Sequence, residues 1–389
     1  MKKITYFILC LFGFSGCIEP FVANSVKIGN ILVVEGFITT GTTQINLSKT
    51  VPIDEWLYED LVNVDDAMVY VECDDGSRTS SVYSSGDGMY LIATGELKEN
   101  VKYRLVIFSK GEEYHSSFIS PAISPPVEIN IYNDSTYSTY YNVCVTAYGY
   151  ENQPRYYLWS YKEDWEITAY LQGNYAVIDG DTVINDIYSP NNRYYCWQKD
   201  SSKVLILGNT ETLRENSIID KRLNYFTIYN DRISELYRFQ VKQNTIHKEA
   251  YDFFYNLQKN IDQTGSIFGA IPSEIEGNIR CVSNPDLYVI GYVDVSTTTT
   301  DEQYLNAQTF YDMTSTNVYK VNCTNNIVET NEKMFFSDYI LYQIAMVPGK
   351  NPVIPDTVYR YINQSCVDCT RRTNGATKKR PKDWQNNHY

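Results

Sequence analysis

Acids beside an indole, a Cys-x-x-Cys pair and an acid-glycine-acid run are the patterns in this 389-residue chain whose side chains could do chemistry. Glu163-Asp164-Trp165-Glu166 sets carboxylates against an aromatic ring, as a glycosidase cleft does. That reaction needs two carboxyl groups about 5 Å apart for retention and farther for inversion. Among 47 acids the sequence nominates no second member, so no catalytic residue is assigned. Asp179-Gly180-Asp181, followed by Asn185 and Asp186, invites a calcium reading, yet the EF-hand loop wants Gly at its sixth position and Glu at its twelfth. Asp-Gly between two apolar runs is what a type I′ hairpin requires, and the turn is preferred. His115, His247 and His388 stand apart from one another, which gives no zinc ligand set and no expected metal. Cys366-Val-Asp-Cys369 reads as half a zinc knuckle, a redox pair or two disulfide partners. No second CxxC and no βαβ pattern surround it, which favours disulfides. A nucleophile elbow, a Walker loop and a dinucleotide fingerprint are all missing, so no cofactor is expected.

The N-terminus carries an address. Lys2 and Lys3 precede an apolar run from Ile4 to Phe14, and Ser15-Gly16 lead into Cys17. The run is shorter than the roughly 20 apolar residues that span a bilayer, and its grammar is that of a secretion signal. Small-small-Cys resembles a lipobox, so residues 1–16 are expected to be removed and Cys17 to carry lipid. The mature chain would be held on a membrane, since two or more acyl chains give stable anchoring. Without Lys2 and Lys3 it keeps 31 basic against 47 acidic side chains, a net charge of −16. Such a surface repels nucleic acid and anionic headgroups, and no nucleic-acid partner is expected. Outside the cytoplasm the seven remaining cysteines can pair. Cys196, Cys281, Cys323, Cys366 and Cys369 are the disulfide candidates, with Cys196 favoured as partner to one member of the CxxC. The odd number leaves at least one thiol free, and Cys73, on the strand face shared by Val69 and Val71, is the expected one.

Elements must position these groups. Thirty-six Tyr against 13 Pro and 20 Gly argue for antiparallel sheets with one wet face. After a tether at 17–27, short strands at 31–38, 44–47, 67–72, 89–92 and 101–108 alternate with turns, which predicts an immunoglobulin- or fibronectin-like sandwich over 28–120. Residues 121–126 form a Pro-rich linker. A larger antiparallel β domain with one packed helix, at about 245–262, is expected over 127–370. Its helix shows Ile246, Ala250, Phe253, Leu257 and Ile261 on one stripe, with Asn244 or Thr245 as cap and Gly265 as stop. Leu287 to Val295 reads as a central strand, and 371–389 as a basic tail, solvated or paired with acids. Trp159, Trp165, Trp197, Tyr157 and Tyr195 could offer flat platforms to a sugar or peptide. The doublets Tyr140-Tyr141, Tyr156-Tyr157 and Tyr194-Tyr195 each point one ring to either face of a strand, so half of each belongs to the core.

Taken together, the small-small-Cys leader followed by Ile18-Glu-Pro-Phe21, Leu32-Val-Val-Glu-Gly36, the helix leading into Gly265-Ser-Ile-Phe268, Gly277-Asn-Ile279, Val289-Ile-Gly-Tyr292 and Cys366-Val-Asp-Cys369 with Pro381 and Trp384 resemble one family. It comprises uncharacterised outer-membrane lipoproteins of Bacteroidota, often encoded beside TonB-dependent receptors. The resemblance implies a lipid-anchored accessory at the cell surface that captures ligand, a glycan or a peptide, or docks on a transporter, with no enzymatic activity attached. A surface glycan hydrolase and an adhesin or envelope scaffold are the alternatives. It also brings O-glycosylation at Asp-Ser/Thr motifs into view, with Ser135, Thr182 and Thr357 as acceptors.

Overall fold

The computed structural model describes residues 30–50, 62–84, 86–134, 139–178, 181–184, 193–264, 276–314, 323, 327–332, 338–351 and 354–385. Alternation shapes the first unit. Leu32–Ile38 and Gly41–Lys49 bury every second side chain, pairing Val34 with Leu47 and Gly36 with Ile45. They belong to an eleven-stranded sheet that folds over one core, because Arg78–Ser84 pairs Met68–Cys73 on one side and Met89–Gly95 on the other. Ile38, Ile45, Ile92, Leu105 and Ile107 fill that core. Tyr90 is buried, and its hydroxyl donates to the Val64 carbonyl at 2.7 Å while accepting from the Ala67 amide at 3.0 Å. The fold is mainly β, as the composition implies.

The chain does not finish this unit before starting the next. Ile279–Cys281, inside the stretch that the sequence assigns to the second domain, pairs with Glu112–Ser116. Val289–Ile290 and Asp294–Val295 pair in parallel with Leu32–Ile38. One unbroken strand over Leu287 to Val295 was the expectation, and Gly291 is where it breaks. Its φ is +148°, and a Cβ there would lie 2.3 Å from the Val34 carbonyl oxygen. Only glycine lets the backbones approach so closely.

The second unit is a sandwich of two antiparallel sheets. Val127–Tyr132, Tyr140–Tyr148 and Ser217–Thr227 make the smaller; Tyr195–Ser201, Tyr156–Thr168, Leu236–Ile246, Thr298–Asn306 and Ile206–Asn209 make the larger. Tyr156–Thr168 is a single 13-residue strand. Tyr141, Phe226, Tyr237 and Phe310 meet between the sheets with centroids 4.9 to 6.1 Å apart, tilted between Tyr141 and Phe226 and edge to face in the other pairs, a geometry that adds to area burial. Tyr175–Ile178 and Asp181–Ile184 form the expected hairpin, whose Asp179 and Gly180 lie outside the described residues. Val328–Thr330, Ile354–Asn363 and Tyr339–Asn351 form a further three-stranded sheet, packed through Ile340 and Ile362 toward Tyr170 and Leu171.

A helix closes the joint between the sandwiches. It spans Lys248–Thr264, later than the expected 245–262, because Asn244, Thr245 and Ile246 remain in the strand Leu236–Ile246 and do not cap it. Ala250 and Phe253 pack with Tyr156 and Ile246 of the second sandwich and with Tyr292 and Phe37 of the first. His247 stands before the helix, and its backbone N–H and Nδ1 both reach the fully buried Asp294 carboxylate at 2.8 Å. Burial opposes a charge on His247, but the hydrogen bond and charge of Asp294, with Glu249, outweigh it and raise its pKa above the ordinary 6.5. A raised histidine stabilises the fold fully below its unfolded pKa, and that contribution disappears as pH rises through the folded value. The melting temperature is therefore expected to fall as pH increases above about 6.5, and His247→Gln should flatten that slope in thermal scans at matched ionic strength.

Candidate functional site

The 13-residue strand Tyr156–Thr168 presents two chemistries because successive side chains face opposite ways. Tyr157, Trp159, Tyr161, Trp165 and Ile167 enter the sandwich core. Glu163 goes with them and is fully buried, paired with Arg232 and accepting from the Tyr237 hydroxyl at 2.7 Å. Arg232 also lies 4.2 Å above the Trp165 ring. Burial, then the Glu163 charge, pushes the Tyr237 hydroxyl well above its ordinary value. The opposite face carries Leu158, Ser160, Lys162, Asp164 and Glu166. Glu163 and Asp164 are thus separated by the sheet itself and cannot act on one bond.

That outer face is a groove. Ser160, Lys242 and Thr300 lie in one row, Lys162, Gln240 and Glu302 in the next, then Asp164, Arg238 and Tyr304, with Lys199 beside Asp164. Cavities along it share walls. The first is bounded by Phe37, Leu158 and Asn244 near the junction. It shares Ser160 and Lys242 with a central one of about 600 Å³. The central cavity shares Lys162 and Gln240 with a third of about 530 Å³, which reaches Pro381 and Lys382. Arg238 fixes the far end: it bonds Asp164 at 2.6 Å and the Lys382 carbonyl at 3.1 Å. Glu166, fully buried, accepts from the indole N–H of buried Trp384 at 3.2 Å. Burial and then the Lys162 ammonium lower the Lys242 pKa.

The tail that forms the end wall is docked, not free. Thr377 bridges Trp197, Lys378 Nζ donates to the Tyr195 carbonyl at 2.8 Å, and Arg372 pairs with Asp231 at 2.6 Å. Burial, then the Arg193 charge, pulls Lys378 down to about 8. Cys196–Cys369 ties the tail to the second sandwich, the staple expected from sequence, and Cys323–Cys366 closes the other member of the CxxC. Cys281 is not bridged. It is a buried free thiol, 3.4 Å from Ser283 Oγ and 3.8 Å from Glu112 Oε2, and it sits on a strand that faces the first core, away from the other disulfide candidates. Cys73 is free, as expected, and so is Cys144.

The proposed aromatic platforms fare differently. Trp159, Trp165, Trp197 and Tyr157 are buried, so their faces are spent on packing; Tyr195 keeps partial exposure. One pair of open rings lies on the outer face of the smaller sheet. Tyr140 is 44% and Tyr225 57% exposed, edge to face at 5.7 Å, with Arg222 5.3 Å above Tyr225. Tyr140 was visible as half of a doublet whose other half, Tyr141, fills the core. His115 pairs with Glu113 at 2.7 Å, and His388 lies outside the described residues. No cluster of three or more His, Cys, Asp or Glu suited to a metal occurs among the described residues. Cys17 and Ser135 lie outside the described residues; Thr182 falls on Asp181–Ile184 and half-buried Thr357 on Ile354–Asn363.

Fold and groove define a β protein of two sandwiches, stapled by disulfides across its second half. The chain belongs to the family described as Domain of unknown function (DUF4249), which it matches over residues 18–302. The match takes in the first sandwich, the junction helix and the groove as far as Glu302. No curated protein matches the sequence.

Replacing both Cys196 and Cys369 with Ala is expected to destabilise the second sandwich by about 5 kcal/mol, since the bridge spans 173 residues. Urea unfolding measures it, and proteolysis of the native variant should begin between residues 369 and 385.

Proposed function

We propose that this protein is a lipid-anchored outer-membrane component, non-enzymatic and exposed at the cell surface, that captures ligand for a TonB-dependent nutrient transporter. Within this reading it belongs with the Bacteroidota lipoproteins encoded beside such receptors. One observation carries the proposal: the basic, apolar and small-small-Cys sequence that ends at Cys17. The two disulfides support an oxidising compartment. Among the described residues no helix is long and apolar enough to cross a membrane, and a lipid on Cys17 would provide attachment by itself. The groove supports a capture role, since its cavities are large enough for a small-molecule or oligomeric ligand.

Fractionation of cells grown with a labelled fatty acid tests the proposal. The wild-type chain should carry label and sediment with outer membranes, and Cys17→Ala should lose the label and move to the soluble fraction. Mild-detergent extraction should recover the wild type with a channel protein. A Cys17→Ala chain that stays on the membrane would overturn the anchor.

A further inference from the structure

We propose that the groove on the outer face of the five-stranded sheet binds a linear acidic oligosaccharide, whose carboxylate or sulfate groups are met by Lys162, Lys199 and Lys242. This rests on the ligand-capture reading and names the ligand class for the same groove.

Charge comes first. The chain carries a net −14, yet Lys162, Lys199 and Lys242 line this face, with Lys379 and Lys382 on the tail at its end. None of the five makes an ion pair among the described residues, whereas Asp164 and Asp200, which share the end cavity with them, are each paired with an arginine. Asp164 is held by Arg238 and Asp200 by Arg232 and Lys203, while Glu302 and Asp301 keep their charge, accepting from Gln240 at 2.6 Å and from the Ile129 amide at 2.9 Å. A cationic line on an acidic protein is charge complementarity awaiting an anion. Burial first, and then the Lys162 charge, lower the pKa of Lys242, and a bound anion beside it would favour its ammonium form.

Geometry selects an extended ligand. Lys162 is opposite Gln240 and Ser201, Lys242 is opposite Ser160, and Lys199 is opposite Asp164. The three ammonium-bearing residues therefore sit at diagonal positions on three adjacent strands, at intervals of roughly 7–8 Å between neighbours. Along the sheet the groove runs from Leu158 to Asp164, roughly 20 Å at the usual rise per residue. A single small anion would meet one of these lysines, and a chain with repeated acid groups meets all three.

Chemistry between the lysines selects a sugar. Ser160, Thr300 and Gln240 offer neutral donors and acceptors, which match hydroxyl groups. Glu302 in the same row would repel a densely charged strand such as nucleic acid, but accepts readily from hydroxyls. Acid groups separated by hydroxylated units fit this alternation.

Binding of the full-length chain in detergent micelles to polygalacturonate, dextran sulfate, neutral dextran, polyglutamate and a single-stranded oligonucleotide provides the test. Polygalacturonate or dextran sulfate should bind, more weakly as salt is raised, and the stronger of the two identifies the acid. Neutral dextran should not bind. Lys162→Gln with Lys242→Gln should weaken binding by about tenfold at an unchanged melting temperature, and Lys199→Gln, on another strand, should weaken it independently. The inference is overturned if neither acidic polysaccharide binds, if the double variant and Lys199→Gln bind as the wild type does, or if polyglutamate or the oligonucleotide binds as tightly. Loss of binding by a chain that still fractionates with membranes sinks the ligand class alone. Release of shortened polygalacturonate would leave the site standing and remove the non-enzymatic reading.

Discussion

Everything in the second half of the molecule depends on one strand having two buried commitments. Tyr156–Thr168 contributes Tyr157, Trp159 and Trp165 to the sandwich core, so its register is fixed by aromatic packing. A slip of one residue would drive Ser160, Lys162 and Asp164 into that core and strand the rings in water. Because the inner face cannot slip, the outer face is held in place without needing strong contacts of its own. The groove is thus rigid through the packing behind it, a good foundation for a binding surface.

Two polar features extend that order outward. The joint between sandwiches is tied by groups from several segments: Gln243 accepts from the Trp159 indole at 2.8 Å and donates to the Pro125 carbonyl at 2.9 Å. Asn244 donates to Thr298 at 2.8 Å. Buried amides satisfied in this way are costly to leave unpaired, so they specify one arrangement. At the opposite end, Arg238 gathers Asp164, Tyr304 and the Lys382 carbonyl, which seats the tail across the sheet.

The mainly β character, the first sandwich core, the packed helix and the Cys196 staple are legible in sequence because they follow from periodicity, turn residues and the number and spacing of cysteines. The aromatic platforms were misplaced for a physical reason: at Trp159, Trp165 and Trp197 the sequence shows large amphipathic rings, but which face of a strand is covered depends on a partner sheet or tail that local pattern does not reveal. Even the doublet rule fails at Tyr156-Tyr157, where the junction helix covers the second face and both rings are buried. Cys281 has the same lesson, since proximity of thiols is set by long-range pairing. Lys162 and Lys242 leave no local signal because they lie 80 positions apart in sequence and become neighbours only through strand register.

The return of residues 276–296 to the first sheet has a consequence for how this chain acquires its structure. The amino-terminal sandwich lacks three strands until nearly three hundred residues have emerged, and its partners are separated by long stretches of polypeptide, a topology that slows folding. Until then the margins of that sheet next to Leu32–Ile38 and Glu112–Ser116 are bare and prone to pair with other chains. While the chain folds, that incomplete layer is the part of the molecule that most needs a chaperone.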